Sequence, residues 1–551
     1  SNEFSTAWKL LNSDCNNDLV TDASCEITYA MSTGATAYDY DLPNTWMDTV
    51  KFGQVGYSFG SSGESATFDV LLNSNLYIDV KDPVLSATIP NGYARLESKE
   101  AVQFVLSNWY QGGSPTGTIN IVSNDTSIAP TDGFTFDNGD NCSWNTDGKI
   151  GGICNKWLTS QYPVVVGVGH YTMRLSGELA AISTSTRIIV KSPQFKTLSS
   201  GGNHTCGISL NQKVYCWGSN QLGELGDGEN VNQAVPTSVF HNSLNLNFAN
   251  ISAGYRHTCG VTTEHQLYCW GDNSFGKLGD GIVGGYQTYP ILVKGGINFI
   301  QVSAGFMHTC ALTADNKAYC WGYNNSGELG VGNKNNESVP VLVNQIVSQG
   351  FTSITSGGYH TCAIGVNGSG YCWGRGVNGQ LGNNGTSNES VPALVVGGYK
   401  FSKLSAGMYY TCGTDIAGKV YCWGSNSNGR LGVGKGNDYK TSIPELLSIL
   451  VNFSTISTGF SSSCGVGVDS INYCWGNNLY GQLGINSESI QTNTPVALDK
   501  NLSGTLETIS IGDNHACAIS IHGNSYCWGG NGFGQLGDGT NKSQILPVPI
   551  Y

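Results

Sequence analysis

Cysteine and histidine are the residues of this chain whose type and spacing could do chemistry, by cross-linking, redox exchange or metal ligation. Fourteen of the 18 cysteines fall into seven pairs, each pair ten residues apart: Cys206 with Cys216, Cys259 with Cys269, Cys310 with Cys320, Cys362 with Cys372, Cys412 with Cys422, Cys464 with Cys474, and Cys517 with Cys527. Zinc sites favour two or four intervening residues rather than nine. An even total at regular spacing is the signature of a disulfide framework in an oxidising compartment. The other four, Cys15, Cys25, Cys142 and Cys154, suit two local bridges, Cys15 with Cys25 and Cys142 with Cys154, with other pairings open.

His204, His257, His308, His360 and His515 share one repeat position and would form a partial ring. Equivalent positions on separate repeats lie too far apart to meet one ion at about 2.1 Å. The expected role of these histidines is therefore to fix a turn by hydrogen bonding. No repeat carries an Asp, Glu or Ser that breaks the pattern and pairs with a base. Asp137 to Asp140 and Asp39 to Asp41 lack a full calcium-loop pattern, and there is no phosphate loop, nucleophile elbow or zincin motif. No catalytic, cofactor-binding or metal-binding residue is nominated, and the chain is read as a non-enzyme.

The elements that position these residues follow from the repeat. Around one pair the sequence runs Gly305-Phe-Met-His308-Thr-Cys310, a short polar turn at Ala314-Asp315-Asn316, then Tyr319-Cys320-Trp321-Gly322-Tyr-Asn324-Asn-Ser-Gly327-Glu-Leu329-Gly330. The frame recurs around Trp217, Trp270, Trp373, Trp423, Trp475 and Trp528. The period of about 50 residues suits a four-stranded blade, and seven is a common number for closing a propeller. Folding back at the turn sets Cys310 opposite Cys320 across an antiparallel pair, at a separation that a disulfide spans. Alternation puts Tyr319 and Trp321 on the other face of the strand, where they are expected to pack against the next blade.

These His-Thr-Cys and Cys-Trp-Gly signatures resemble the regulator of chromosome condensation repeat family, specifically its secreted, cysteine-bearing members. The resemblance covers about 350 residues and implies a seven-bladed β-propeller. It does not imply one function, because the family includes a nuclear nucleotide exchange factor and a secreted β-lactamase inhibitor. Departures from the frame are few: Ser462-Ser463-Cys464 lacks the His, Tyr410-Thr411-Cys412 has Tyr in its place, and Asn514-His515-Ala516-Cys517 lacks the Thr.

The fold expected is all-β: a β-sandwich of immunoglobulin-like or jelly-roll type over residues 1–193, then the propeller over 194–551. Short apolar or alternating runs such as Tyr77 to Val80, Thr118 to Val122 and Thr186 to Val190, separated by Gly, Asn, Asp and Ser, carry the sandwich reading. In Ser1 to Leu11, Phe4, Trp8 and Leu10 share a two-residue phase. Their segment is read either as the first strand of the sandwich or as a donor strand that completes a neighbouring subunit's sheet.

With 26 Lys and Arg against 39 Asp and Glu the net charge is -13. That excludes a phosphate-tracking nucleic-acid binder and disfavours anionic lipid. No apolar run reaches the length that crosses a bilayer, and the start at Ser1 without Met fits a cleaved secretory signal. Sequons suitable for glycosylation include Asn124, Asn141, Asn250, Asn324, Asn336, Asn384, Asn388, Asn452, Asn501 and Asn541. The first functional expectation is a secreted or cell-surface structural or adhesive protein, self-associating into a filament through its N-terminal domain. The second is a binding module that takes a protein or glycan through Phe275, Tyr286, Tyr480 and Phe533. The third is a secreted hydrolase or lyase.

Overall fold

The computed structural model describes residues 193–550 apart from 240–245, 345–348 and 500–505. Phe4, Cys15 and the sequons at Asn124 and Asn501 lie outside the described residues, as do the side chains of Trp8, Leu10, Cys25, Asn141, Cys142 and Cys154, for which only strand backbone is described, and the expected β-sandwich is not resolved from them. By its internal contacts the chain divides into two compact units, Ser1–Pro193 and Gln194–Tyr551.

The second unit is seven four-stranded antiparallel sheets, each with its strands in sequence order. In the first, β1 (Phe195–Ser200), β2 (His204–Ser209), β3 (Val214–Gly218) and β4 (Gln233–Ser238) run from the axis outwards. The first strands of consecutive sheets adjoin, and the first strand of the seventh sheet adjoins β1, so the ring is closed. Each sheet is a blade. The second and third strands of every blade carry the directly facing cysteines, with Cα atoms 4.1 Å apart in the third blade, and all seven pairs are bridged. This close approach marks the narrow, non-hydrogen-bonded register of an antiparallel pair.

The core lies in the gaps between blades rather than within any one of them. In one gap Cys259, Cys269 and Leu278 of the second blade pack with Trp321 of the third and with Phe299, which leads into the third blade's first strand. The same assembly recurs with Cys310, Cys320, Leu329, Phe351 and Trp373. The expectation that each Trp meets the next blade is thus corrected. The disulfide faces the following blade, so alternation turns the Trp towards the preceding one. All seven of these tryptophans are fully buried. Gly330 shows how tightly the gap is filled, because it adopts φ +71° and a Cβ there would lie 2.6 Å from the Trp373 indole nitrogen.

The bridge holds a hairpin that strand pairing and inter-blade packing already hold. Replacing one pair as Cys310→Ala with Cys320→Ala should leave the ring closed and lower stability by no more than about 3 kcal/mol, the chain-entropy value for a loop of this length. Urea unfolding of the variant beside the parent checks this. Loss of the cooperative transition would show that the bridge is needed for closure itself.

Candidate functional site

Every blade is contiguous in sequence, so no strand is borrowed to close the ring. Contacts across the gaps do it instead: backbone hydrogen bonds, such as Gly281 N–H to the Ser338 carbonyl at 2.9 Å and Asp513 N–H to the Gly201 carbonyl at 3.2 Å, and side chains that add to them. A hydroxyl near the end of each first strand accepts the backbone N–H of the last residue in the next blade's first strand. Ser199 takes that of Ala253 at 2.9 Å, Ser303 that of Ser356 at 2.8 Å, and Ser510 that of Ser200 at 2.9 Å, the last joining the seventh blade to the first. The histidines act one layer further out. Nε2–H of His308 donates to Oγ1 of Thr361 in the next blade at 2.8 Å. That hydroxyl donates to the Glu328 carbonyl at 2.8 Å, which also accepts the Trp373 indole N–H at 2.9 Å. The Thr proton is committed to a carbonyl, so the His must be the donor, which fixes the neutral Nε2–H tautomer. His204, His257, His360 and His515 repeat the contact with Thr258, Thr309, Thr411 and Thr205.

The histidines therefore clasp neighbouring blades, and the turn-fixing role expected of them is replaced by a longer-range one. Burial away from water penalises the imidazolium, lowering His204 and His308 to about 4 and His360 and His515 to about 3. His257 is also held well below its ordinary value, first by burial and then by the charges of Lys277, His204 and His308.

The departures in the repeat are halves of single contacts. Between the sixth and seventh blades the His position is Ser462 and the facing Thr position is Ala516. The first strand of the seventh blade ends in Ile511 where the others end in Ala, Ser or Thr. A Cβ on Gly305 would meet the His308 ring, whereas one on Gly459 would meet the Ile511 side chain. Ile511 thus fills the space the missing imidazole leaves. Between the fifth and sixth blades Tyr410 donates to the Ser462 carbonyl at 2.7 Å and lies 2.9 Å from Ser463 Oγ, a smaller partner for a larger ring. Burial pushes its hydroxyl up to about 12.

With the repeated residues engaged in closure, the surface that does not repeat stands out. It lies at the end of the ring formed by the turns after the first and third strands. Tyr255 and Phe306 stack with centroids 3.8 Å apart, and Phe306 reaches Tyr359 at 5.7 Å. Tyr359 stacks on Tyr409 at 5.7 Å. Tyr323 meets Tyr359 edge-on at 6.4 Å, and Phe275 meets Tyr323 edge-on at 5.0 Å. These half-buried rings make one continuous band over blades two to five. Arg256 sits 5.3 Å from the Tyr255 ring, Arg375 sits 5.7 and 5.8 Å from those of Tyr359 and Tyr409, and Arg430 sits 5.7 Å from that of Tyr410. These are all the arginines of the propeller.

Beside the band is an axial channel of about 90 Å³, lined by glycines and small residues at the ends of the first strands together with Tyr255, Phe306, Met408, Phe460 and Ile511. Asp513 is the charged residue in its lining, pushed up to about 7 by desolvation. Among the described residues no group of three or more His, Cys, Asp or Glu is placed to hold a metal ion.

Of the expected contact aromatics, only Phe275 belongs to the band. Tyr286 begins the outer strand of the second blade, where Asn230 Nδ2 donates to its hydroxyl at 3.3 Å, while Tyr480 and Phe533 stand in loops of the sixth and seventh blades. Among the sequons, Asn336, Asn384, Asn388, Asn452 and Asn541 are exposed and Asn250 is half-buried. Asn324 is fully buried, its amide donating to the carbonyls of Asn333 at 3.1 Å and Asn335 at 2.8 Å, so the folded loop leaves no room for a glycan.

Fold and closure define a class: an all-β, seven-bladed propeller with a disulfide hairpin in every blade and side-chain clasps between blades. The propeller belongs to the regulator of chromosome condensation (RCC1) repeat family. The RCC1-like domain model matches residues 281–551, and the RCC1 repeat models match 195–224, 248–277 and 211–261. The chain is 32% identical to the ultraviolet-B receptor UVR8 of Arabidopsis thaliana over 206 residues, covering 37% of this chain and 46% of the receptor. It is 27% identical to the E3 ubiquitin-protein ligase HERC2 of Homo sapiens over 351 residues, 62% of this chain and 7% of the ligase. The chain thus spans less than half the length of these curated relatives. Among solved structures, human WBSCR16 matches with a TM-score of 0.56 at 21% identity, over 62% of this chain and 94% of that one. Yeast RCC1 (Prp20), solved with Kap60 bound, matches with a TM-score of 0.56 at 20% identity, over 62% and 85%. These likenesses concern the fold.

The clasps make stability depend on pH. Burial holds His204, His308, His360 and His515 at about 3 or 4 in the folded chain and His257 well below its ordinary value, against about 6.5 when unfolded, so below about 6.5 the unfolded chain binds protons that the folded one refuses. Stability should be full above that pH and fall by roughly 1 kcal/mol per pH unit for each histidine as pH drops towards 4. Copying the substituted gap into the third and fourth blades, as His308→Ser, Thr361→Ala and Ser356→Ile, should remove one histidine's share of that slope. Urea unfolding at pH 7 and pH 5 reads both effects. Expression in a glycosylating host should give glycopeptides at Asn336, Asn384, Asn388, Asn452 and Asn541 and none at Asn324, as read by mass spectrometry.

Proposed function

We propose that the protein is a non-enzymatic recognition module of an oxidising, extracellular setting, which presents the aromatic and arginine face of its propeller to a protein or glycan. The observation that carries this reading is the band of ring contacts from Tyr255 to Tyr409. Its rings lie outside the hydrogen-bonded clasps that close the gaps, and half-exposed aromatics grouped with arginine are the composition of binding hot spots.

Seven disulfides favour an extracellular location. The structure of yeast RCC1 (Prp20) with Kap60, and a second titled for the binding of Prp20p to Gsp1p and histones, concern relatives that engage proteins, which supports a protein partner here. An adhesive or filament role at a cell surface is one setting in which such a face would be displayed.

The full chain and a Tyr359→Ala, Tyr409→Ala variant should be compared on glycan and peptide arrays. Ligands held by the parent should weaken roughly tenfold or more in the variant. Tyr480→Ala, on another blade, should leave them unchanged, and thermal midpoints confirm folding. Ligands retained in full by the double variant would refute the assignment of this face.

A further inference from the structure

Charge on the aromatic face narrows the partner's chemistry, and the following rests on the reading of that face as the recognition surface. Although acids outnumber bases in the chain, none of the propeller's arginines forms an ion pair among the described residues. Arg430 is buried and donates to the carbonyls of Ser427 at 2.7 Å and Phe460 at 3.2 Å, so it serves the fold. Arg256 is exposed, and Arg375 is half-exposed over two tyrosines with its Nε–H buried and without an acceptor. A guanidinium held in place by ring contacts, with unused donors, is preorganised for a carboxylate.

The acids nearest these groups form no ion pair with them, although Glu224 feels the charge of Arg256. Glu224 and Glu328 are buried in their loops, each accepting a backbone N–H, and desolvation raises both. Asp272 is held by Lys277 at 2.6 Å. Asp513 lies on the seventh blade and lines the channel that Tyr255 and Phe306 also border, where desolvation raises it.

The rings also discriminate between classes of ligand. Tyr255 stacks on Phe306 with planes 19° apart, and Tyr359 on Tyr409 with planes 14° apart. Faces engaged with one another are not open platforms for a sugar ring. What reaches solvent is ring edge and guanidinium, which suits an extended chain carrying carboxylates and small apolar side chains. We infer that this face takes an acidic peptide segment of a protein partner, with carboxylates meeting Arg256 and Arg375 along the tyrosine band.

A random dodecapeptide library displayed on phage tests this against the immobilised full chain, with Arg256→Glu, Arg375→Glu and Lys317→Glu variants. Lys317 lies at the opposite end, paired with Asp315, and serves as the charge-matched control. The parent and the control should enrich Asp and Glu. Each arginine reversal should abolish that enrichment and weaken the best parental peptide at least tenfold, with the thermal midpoint unchanged. Peptides without acidic bias, or a bias that survives both reversals, would overturn the inference. If binding without acidic bias is still lost in the Tyr359→Ala, Tyr409→Ala variant, the recognition face stands and only its acidic partner falls. Polygalacturonate binding as tightly as the best peptide would assign the face to an acidic polysaccharide and overturn the peptide assignment.

Discussion

A ring of seven sheets, each made from one continuous stretch of chain, has to be closed by contacts between blades rather than by a shared strand, through backbone hydrogen bonds and side chains together. That constraint organises the molecule. The disulfide and the leucine of one blade form one wall of each gap, and the tryptophan of the next blade, with the large apolar residue that leads into its first strand, forms the other. Hydroxyls bind backbone across the inner layer and histidines bind threonines across the next. The Thr hydroxyl sits at the junction of the polar system. It receives from one blade's histidine and gives to a carbonyl that also holds its own blade's indole, so a single buried proton network fixes three groups in orientation.

The fold was legible because its main signal is periodic. Cysteines ten apart, repeated every 50 residues or so, specify both the hairpin and the number of blades. The closure was less legible, though its signals are in the sequence. A hydroxyl residue stands seven positions before the first cysteine of every repeat, from Ser199 to Ser510, yet a Ser or Thr in a β-strand attracts no notice until its partner N–H is seen across the gap. The direction of the tryptophans was misjudged for a related reason. Alternation tells which residues share a face, but not which neighbour that face meets.

The aromatic band was hidden for a different reason. Tyr255 and Phe306 lie four residues before their cysteines, Tyr359 and Tyr409 three before theirs, and Tyr323 and Phe275 two and five after their tryptophans. No single period gathers them. They meet because two sets of turns open on the same end of the ring, which only topology reveals. The expected contact residues were chosen by exposure in the same loops, and only Phe275 lies where the rings converge. Regular positions build the scaffold and irregular ones decorate it, so sequence periodicity reports the first and is silent on the second.

The substituted gap between the sixth and seventh blades solves a problem that such symmetry creates. Seven near-equivalent blades could in principle pack on one another in the wrong order or join with a blade from another chain. An imidazole presented to the wall formed by Ile511 and Ala516 would find its space occupied and its hydrogen-bond partner gone, and Ser462 presented to an ordinary wall would leave a cavity. Tyr410 facing Ser463 adds a second mismatched shape one gap earlier. Together these positions give two adjacent gaps shapes of their own, so the ring is not seven-fold symmetric in its closing contacts and a blade placed at either gap meets a wall unlike the others.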